Sequence, residues 1–221
     1  MLLKLTDSVR GVLRHSRLLT VTLIGAGYGG LTSVLDNLSP AHSDLGEGLA
    51  GTPMQSVLRV LSTMTGAGWA WAALAVVAGW WLGTRRGGAA AAAVALTAAT
   101  ATYYVMDALL RAEPVLNSGI WLWCAVSLLT GVPLGMVGAQ ARRPSQLGLL
   151  AALTVPIGAA TQMAVLPPGL TAVQVATEAV YARRFVWVLS AAAALWILLR
   201  HRGKAKPAHR VPSNAVNGSS A

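Results

Sequence analysis

Six apolar stretches, at 18–35, 68–83, 89–110, 119–139, 147–166 and 185–199, divide this chain of 221 residues, and most of its arginine and lysine falls in alternate gaps between them. A bilayer's hydrocarbon core takes about 20 residues of helix to cross. Inside lipid every backbone N–H and C=O must find its partner within the segment, so stretches of this kind fold as helices. The expected fold is therefore all-α, a polytopic transmembrane bundle of six spans. The charged fraction of 11% and mean hydropathy of +0.58 exclude an ordinary soluble domain, in which about a quarter of the residues are charged.

The net charge of +10 would suit a nucleic-acid partner, but the basic residues sit at the edges of apolar segments with no polar domain to present them, so no nucleic acid is expected. The bilayer explains them better. With a cytoplasmic N-terminus, 13 of the 17 basic residues fall inside: Lys4, Arg10, Arg14, Arg17, Arg85, Arg86, Arg142, Arg143, Arg200, Arg202, Lys204, Lys206 and Arg210. Only Arg59, Arg111, Arg183 and Arg184 then lie outside, together with every acid except Asp7. This distribution predicts both termini in the cytoplasm. The first stretch follows a basic segment, as a signal peptide would, but Ser33-Val34-Leu35 makes a poor cleavage site, so the helix is expected to be retained.

Three parts are expected along the chain. Residues 1–17 space Leu2, Leu5, Val9, Val12 and Leu13 at helical intervals against Lys4, Arg10, Arg14 and Arg17, which predicts an amphipathic helix on the inner membrane surface. Residues 18–200 form the membrane domain. Residues 201–221 are polar, contain Pro207 and Pro212, and read as a disordered tail; the sequon Asn217-Gly218-Ser219 has no expected use there. Outside, the loop at 36–65 turns helical in pattern from Gln55 to Leu61. The excursion at 167–184 opens with Pro167-Pro168-Gly169 and continues as a helix bearing Gln174 and Glu178.

Trp69, Trp71, Ala73, Gly79, Leu82 and Gly83 recur 52 positions later as Trp121, Trp123, Ala125, Gly131, Leu134 and Gly135. Two spans separate the copies, so a duplication would give a parallel two-helix repeat. The alternative is that helices of one orientation gather Trp at the same interface and Gly at packing faces. Gly25 with Gly29, Gly79 with Gly83, and Gly131 with Gly135 are small-xxx-small pairs that let helices approach closely. Gly25, Gly27 and Gly30 also fit G-x-G-x-x-G, but that fingerprint needs a strand before it and a βαβ unit around it, which an apolar span does not provide. Pro133 and Pro156 are expected to kink their helices.

Chemistry-bearing residues are sparse. His15, His42, His201 and His209 all lie outside the spans, and Cys124 is the sole cysteine. No metal-ligand spacing, nucleophile–base arrangement or acid-rich cluster is present, so no catalytic residue, metal or cofactor is called for. Depth places the acids. Asp107, 21 residues beyond Arg86, stands roughly 30 Å from the inner surface at about 1.5 Å per residue, hence at the outer rim. Asp36 and Gln162, each 19 residues beyond an arginine, fall at similar depth. Tyr103, Tyr104, Asp107 and Arg111 share one broad helix face. They are either an interfacial tyrosine belt with an Asp–Arg pair, or one wall of an outward-open pocket completed by Gln162 and Glu178. The absence of an ionisable residue at mid-depth counts against an ion pump.

The glycine-rich helix Gly25-Ala26-Gly27-Tyr28-Gly29-Gly30, the Gly68-Trp69 opening of a helix with Gly79, and Tyr103-Tyr104 late in the third span resemble an uncharacterised family of small six-helix actinobacterial membrane proteins, a domain of unknown function, over most of residues 18–200. The abundance of arginine over lysine, with much alanine and glycine, fits the same GC-rich source. The resemblance implies a lineage and carries no mechanism. The expected function is a non-enzymatic component of a bacterial plasma membrane that binds a membrane-protein partner, or a second copy of itself, or moves a small or amphipathic solute. The alternative is an intramembrane enzyme acting at the outer leaflet through Tyr103, Tyr104, Asp107, Gln162 and Glu178.

Overall fold

The computed structural model describes residues 2–40, 43–115, 118–166 and 177–204. Among them all regular structure is helical: α1 (Leu2–Leu38), a 3-10 turn (Glu47–Leu49), α2 (Pro53–Gly66), α3 (Gly68–Leu82), α4 (Arg85–Leu110), α5 (Ser118–Ala141), α6 (Gln146–Val165) and α7 (Thr177–Lys204). Helices α1, α4, α5, α6 and α7 are each long and apolar enough to cross a membrane, and α2 with α3 make a sixth candidate as a bent pair. The fold is an all-α bundle, and the protein is a multi-pass membrane protein.

Helix α4 is the hub. Its alanines take so little room that α1, α3 and α5 can all pack on it, and Ala91, Ala92, Ala95 and Ala99 are fully buried. A side chain at Gly25 or Gly29 would strike the α4 backbone at Ala95 or Ala99; one at Gly131 or Gly135 would strike it at Ala93 or Gly88. Gly79 meets Gly135 in the same way, joining α3 to α5. Close backbone approach replaces the hydrophobic drive that lipid removes. Between α4 and α5 a buried hydrogen bond joins Thr100 to Ser127 at 2.6 Å. The opposite surface is apolar: Leu122, Leu129, Leu150 and Val188 are exposed, as lipid-facing side chains are.

Five expectations change in detail. Residues 2–17 are helical, but they continue α1 into the first span without a break instead of forming a separate surface helix. The second span is short: α3 has 15 residues, about 22 Å of helix, and meets α2 across a 57° bend at Ala67. Pro133 and Pro156 lie within α5 and α6, both of which continue past them; the bent pair among the described helices is α2 with α3, at Ala67. Gly83 is a left-handed helix C-cap at φ 71°, with its N–H on the carbonyl of Gly79, so conformation explains it rather than helix-to-helix packing. The repeated glycines Gly79 and Gly131 both face a neighbouring helix, but the paired tryptophans differ: Trp69 is half-buried and Trp121 is 68% exposed. The expected tail at 201–221 begins later, since residues 201–204 still belong to α7; its remainder at 205–221, the loop part at 167–176 with Gln174, His42, His209 and the sequon lie outside the described residues.

Residues that the sequence assigns to opposite faces fall at opposite ends of the bundle. Asp36, Asp107 and Glu178 mark one end, called here the acidic end; Arg85, Arg142 and Arg200 mark the other, the arginine end.

Candidate functional site

Helix α1 finishes in Asp36-Asn37-Leu38, and a carboxylate this close to a helix C-terminus faces the negative end of the helix dipole. Donors from two other helices compensate it. Ser62 of α2 donates to Asp36 Oδ1, and the Tyr103 hydroxyl of α4 donates to Oδ2 at 2.9 Å. The next residue, Asn37, is 5% exposed and divides its amide between two helices. Its Nδ2 donates to the Ser33 carbonyl at 3.0 Å and to Asp107 Oδ1 at 2.8 Å. Its Oδ1 accepts from Arg111 Nε at 3.1 Å. Arg111 Nε also lies 3.0 Å from Asp107 Oδ1, the i,i+4 pair that the sequence predicts.

Aromatic rings continue this cluster inward. Tyr28, Trp71, Tyr103 and Tyr104 meet edge to face in sequence, with centroids 5.4, 6.3 and 5.5 Å apart. Such contacts fix ring orientation and add about 0.5–1.5 kcal/mol each beyond their buried area. The Tyr28 hydroxyl donates to the Thr65 carbonyl, in the last turn of α2. The loop after α1 is tied back as well, with Ser43 Oγ donating to the Asn37 carbonyl at 2.7 Å and Arg59 Nε to the Ser39 carbonyl at 3.2 Å.

The six residues expected to line one pocket separate into three places. Tyr103, Asp107 and Arg111 join α4 to α1, and Tyr104 touches that group through the Tyr103 ring. Gln162 stands on α6 and accepts from the Trp69 N–H at 2.9 Å, capping α3, which has no side-chain cap of its own. Glu178 opens α7 and faces α2, accepting from Ser56 at 3.1 Å with Arg59 at 3.8 Å. Asp36, Asn37 and Ser62 complete the cluster and were not among the expected site residues. Asp36 carried one legible signal, a depth equal to that of Asp107.

Chemically, this end is a brace. Both Asp36 oxygens accept from neighbouring helices, and Asn37 uses three hydrogen bonds. Ser62 spends its proton on a carboxylate with no imidazole in the group. Hydrogen bonds between helices of a membrane bundle are worth about 1 kcal/mol each, so the cluster stabilises the contact of α1, α2 and α4. Among the described residues no three of His, Cys, Asp and Glu converge to hold a metal ion.

The arginine end is built differently. Because α2 and α3 diverge at Ala67, α7 packs on α2 and α6, while α3 packs on α4, α5 and α6. A cavity of about 560 Å³ remains between the lower halves of α3, α6 and α7 and the α5–α6 turn. Its wall includes Ala73, Val77, Ala152, Pro156 and Ile197, and its polar groups are Arg142, Arg143, Arg200 and His201. Arg142 lies over the Trp80 ring at 5.5 Å to the centroid, with Nη1 3.4 Å from the carbonyls of Trp80 and Trp81. Arg200 lies over Trp196 at 5.1 Å. Nothing in the spacing of these residues along the chain pointed to a shared cavity.

No protein-family model, curated protein or solved structure matches the chain. The geometry is therefore the ground for a functional reading.

Proposed function

We propose that this protein is a non-enzymatic, multi-pass component of a bacterial plasma membrane, both termini cytoplasmic, that binds a small amphipathic solute. The observation that carries the reading is the cavity of about 560 Å³ at the arginine end, apolar along its wall and cationic at one side. Its size is that of small-molecule sites, about 300–1,000 Å³. The paired acids at the other end support the same reading, since their hydrogen-bonding capacity goes into joining helices. Enzymatic action through Tyr103, Tyr104, Asp107, Gln162 and Glu178 would need those groups around one substrate, and they serve three separate contacts. Solute binding is favoured over docking of a partner protein or second copy because the recess is concave and lies within one chain. Resemblance to small actinobacterial membrane proteins adds a lineage to this proposal and leaves its chemistry unchanged.

The test is to purify the full chain in mild detergent and release its bound molecules for mass spectrometry, before and after filling the cavity by Ala193→Trp. Stoichiometric retention of an amphiphile that the substitution abolishes supports the reading. Retention unaffected by the substitution, or turnover of the molecule by the purified protein, contradicts it.

A further inference from the structure

We infer that the cavity at the arginine end is a binding site for an anionic phospholipid, its phosphate held among Arg142, Arg143 and Arg200 and its acyl chains laid along the apolar wall between α3, α6 and α7. The inference rests on the amphiphile reading above and narrows it to one chemical class.

Charge is the first argument. Three arginines and a histidine line the cavity, and among the described residues no carboxylate does. Both described ion pairs, Arg59 with Glu178 and Arg111 with Asp107, lie at the acidic end. Arg142, Arg143 and Arg200 are exposed where the apolar wall meets solvent, so an anion can reach all of them, and three neighbouring positive charges sum to an attraction that one solvated arginine lacks.

Geometry is the second. The guanidinium carbons of Arg142 and Arg200 lie 5.5 and 5.1 Å from the centroids of the Trp80 and Trp196 rings, and Pro144 begins the rim beside Arg143. Such cation–π contacts hold a guanidinium in place, and its fork of N–H groups matches two oxygens of a phosphate. Arg142 already directs one nitrogen to the final carbonyls of α3, which fixes the direction of its remaining donors.

The wall is the third argument. Val77, Val155 and Ile197 come from three chain segments and offer no hydrogen-bonding side chain, so a free phosphate or a sugar phosphate would leave that surface unused. A molecule with an anionic head and an apolar tail uses both parts. Basic recesses between transmembrane helices at the cytoplasmic side recognise anionic headgroups by the same physics.

The experiment is a native mass-spectrometry titration of the delipidated full chain with phosphatidylglycerol and phosphatidylcholine of identical acyl chains, alongside glycerol phosphate as the chainless anion. The expected result is one retained phosphatidylglycerol, preferred over phosphatidylcholine by about tenfold or more, with glycerol phosphate displacing it only weakly. In Arg142→Gln/Arg200→Gln that preference should fall towards onefold while phosphatidylcholine uptake is unchanged. Arg143→Gln/Arg200→Gln, which leaves the contact to the α3 carbonyls intact, serves if the first variant does not fold. Arg183→Gln/Arg184→Gln removes the same charge from exposed sites on α7 and should keep the preference. Equal retention of the two lipids, or a preference that survives both cavity variants, overturns the anionic assignment and leaves the amphiphile reading standing. Glycerol phosphate binding as tightly as the lipid overturns the assignment to a lipid. Retention of neither lipid overturns the assignment and the amphiphile reading together.

Discussion

Replacing Gly131 by alanine should weaken the bundle, and replacing Gly158 by alanine should not. Both glycines lie inside helices, α5 and α6, so the exchange itself favours the folded state by up to about 1 kcal/mol through helix propensity. The surroundings set the sign. A methyl group at Gly131 would lie 2.6 Å from the Cα and 2.9 Å from the N of Ala93. Carbon atoms in contact rest about 3.5–4.0 Å apart, so α5 must withdraw from α4 by roughly 1 Å. Ala93 is backbone at that point and has no rotamer to yield, and overpacking of this kind costs about 1–3 kcal/mol. At Gly158 the same methyl meets nothing within 4 Å. The two variants should therefore differ by about 1–3 kcal/mol, with Gly158→Ala at or above the parent protein. Reversible unfolding in mixed micelles of mild detergent and dodecyl sulfate, followed by helical circular dichroism, reads the difference. Gly131→Ala as stable as Gly158→Ala would refute the claim that close backbone approach holds α4 to α5.

Three further expectations follow from the same contacts. Tyr103→Phe removes one donor from Asp36 and should cost about 1 kcal/mol of stability in the same unfolding assay; an unchanged midpoint would show that the brace contributes nothing. Gln162→Leu leaves the Trp69 N–H unpaired at the start of α3 and should destabilise by about 1–3 kcal/mol, with faster amide exchange at residues 68–70; unaltered exchange would mean that Gln162 does not cap the helix. Single cysteines placed after Arg86 and at residue 215, in a Cys124→Ser background, should react with impermeant thiol reagents only after the membrane is opened; labelling of intact cells would overturn the cytoplasmic termini.

The membrane class and most helices were legible because a bilayer imposes a length and rewards uninterrupted apolar sequence, and because arginine pairs punctuate the turns. The packing role of Gly25, Gly29, Gly79, Gly131 and Gly135 was legible for a related reason, since glycine within a span has few other uses. The bend at Ala67 was not read, although Gly66 and Gly68 flank it, because hydropathy sees α3 only as a somewhat short span. The Asp107–Arg111 pair could be read from spacing along one helix. The partners Asp36 and Asn37 could not, for they meet Tyr103 and Asp107 across 67 and 70 residues of chain and depend on α1 being the neighbour of α4. The cavity at the arginine end depends on how α3, α6 and α7 are spaced across the bundle, and a one-dimensional pattern carries no record of that.

A structure of the protein in nanodiscs of mixed zwitterionic and anionic lipid is the decisive measurement. The expected result is an amphiphile between α3, α6 and α7, its phosphate within hydrogen-bond distance of Arg142 or Arg200, and the Asp36–Tyr103 and Asn37–Asp107 hydrogen bonds intact with no ligand between them. An empty recess at the arginine end, with a bound molecule parting Tyr103 from Asp36, would contradict it.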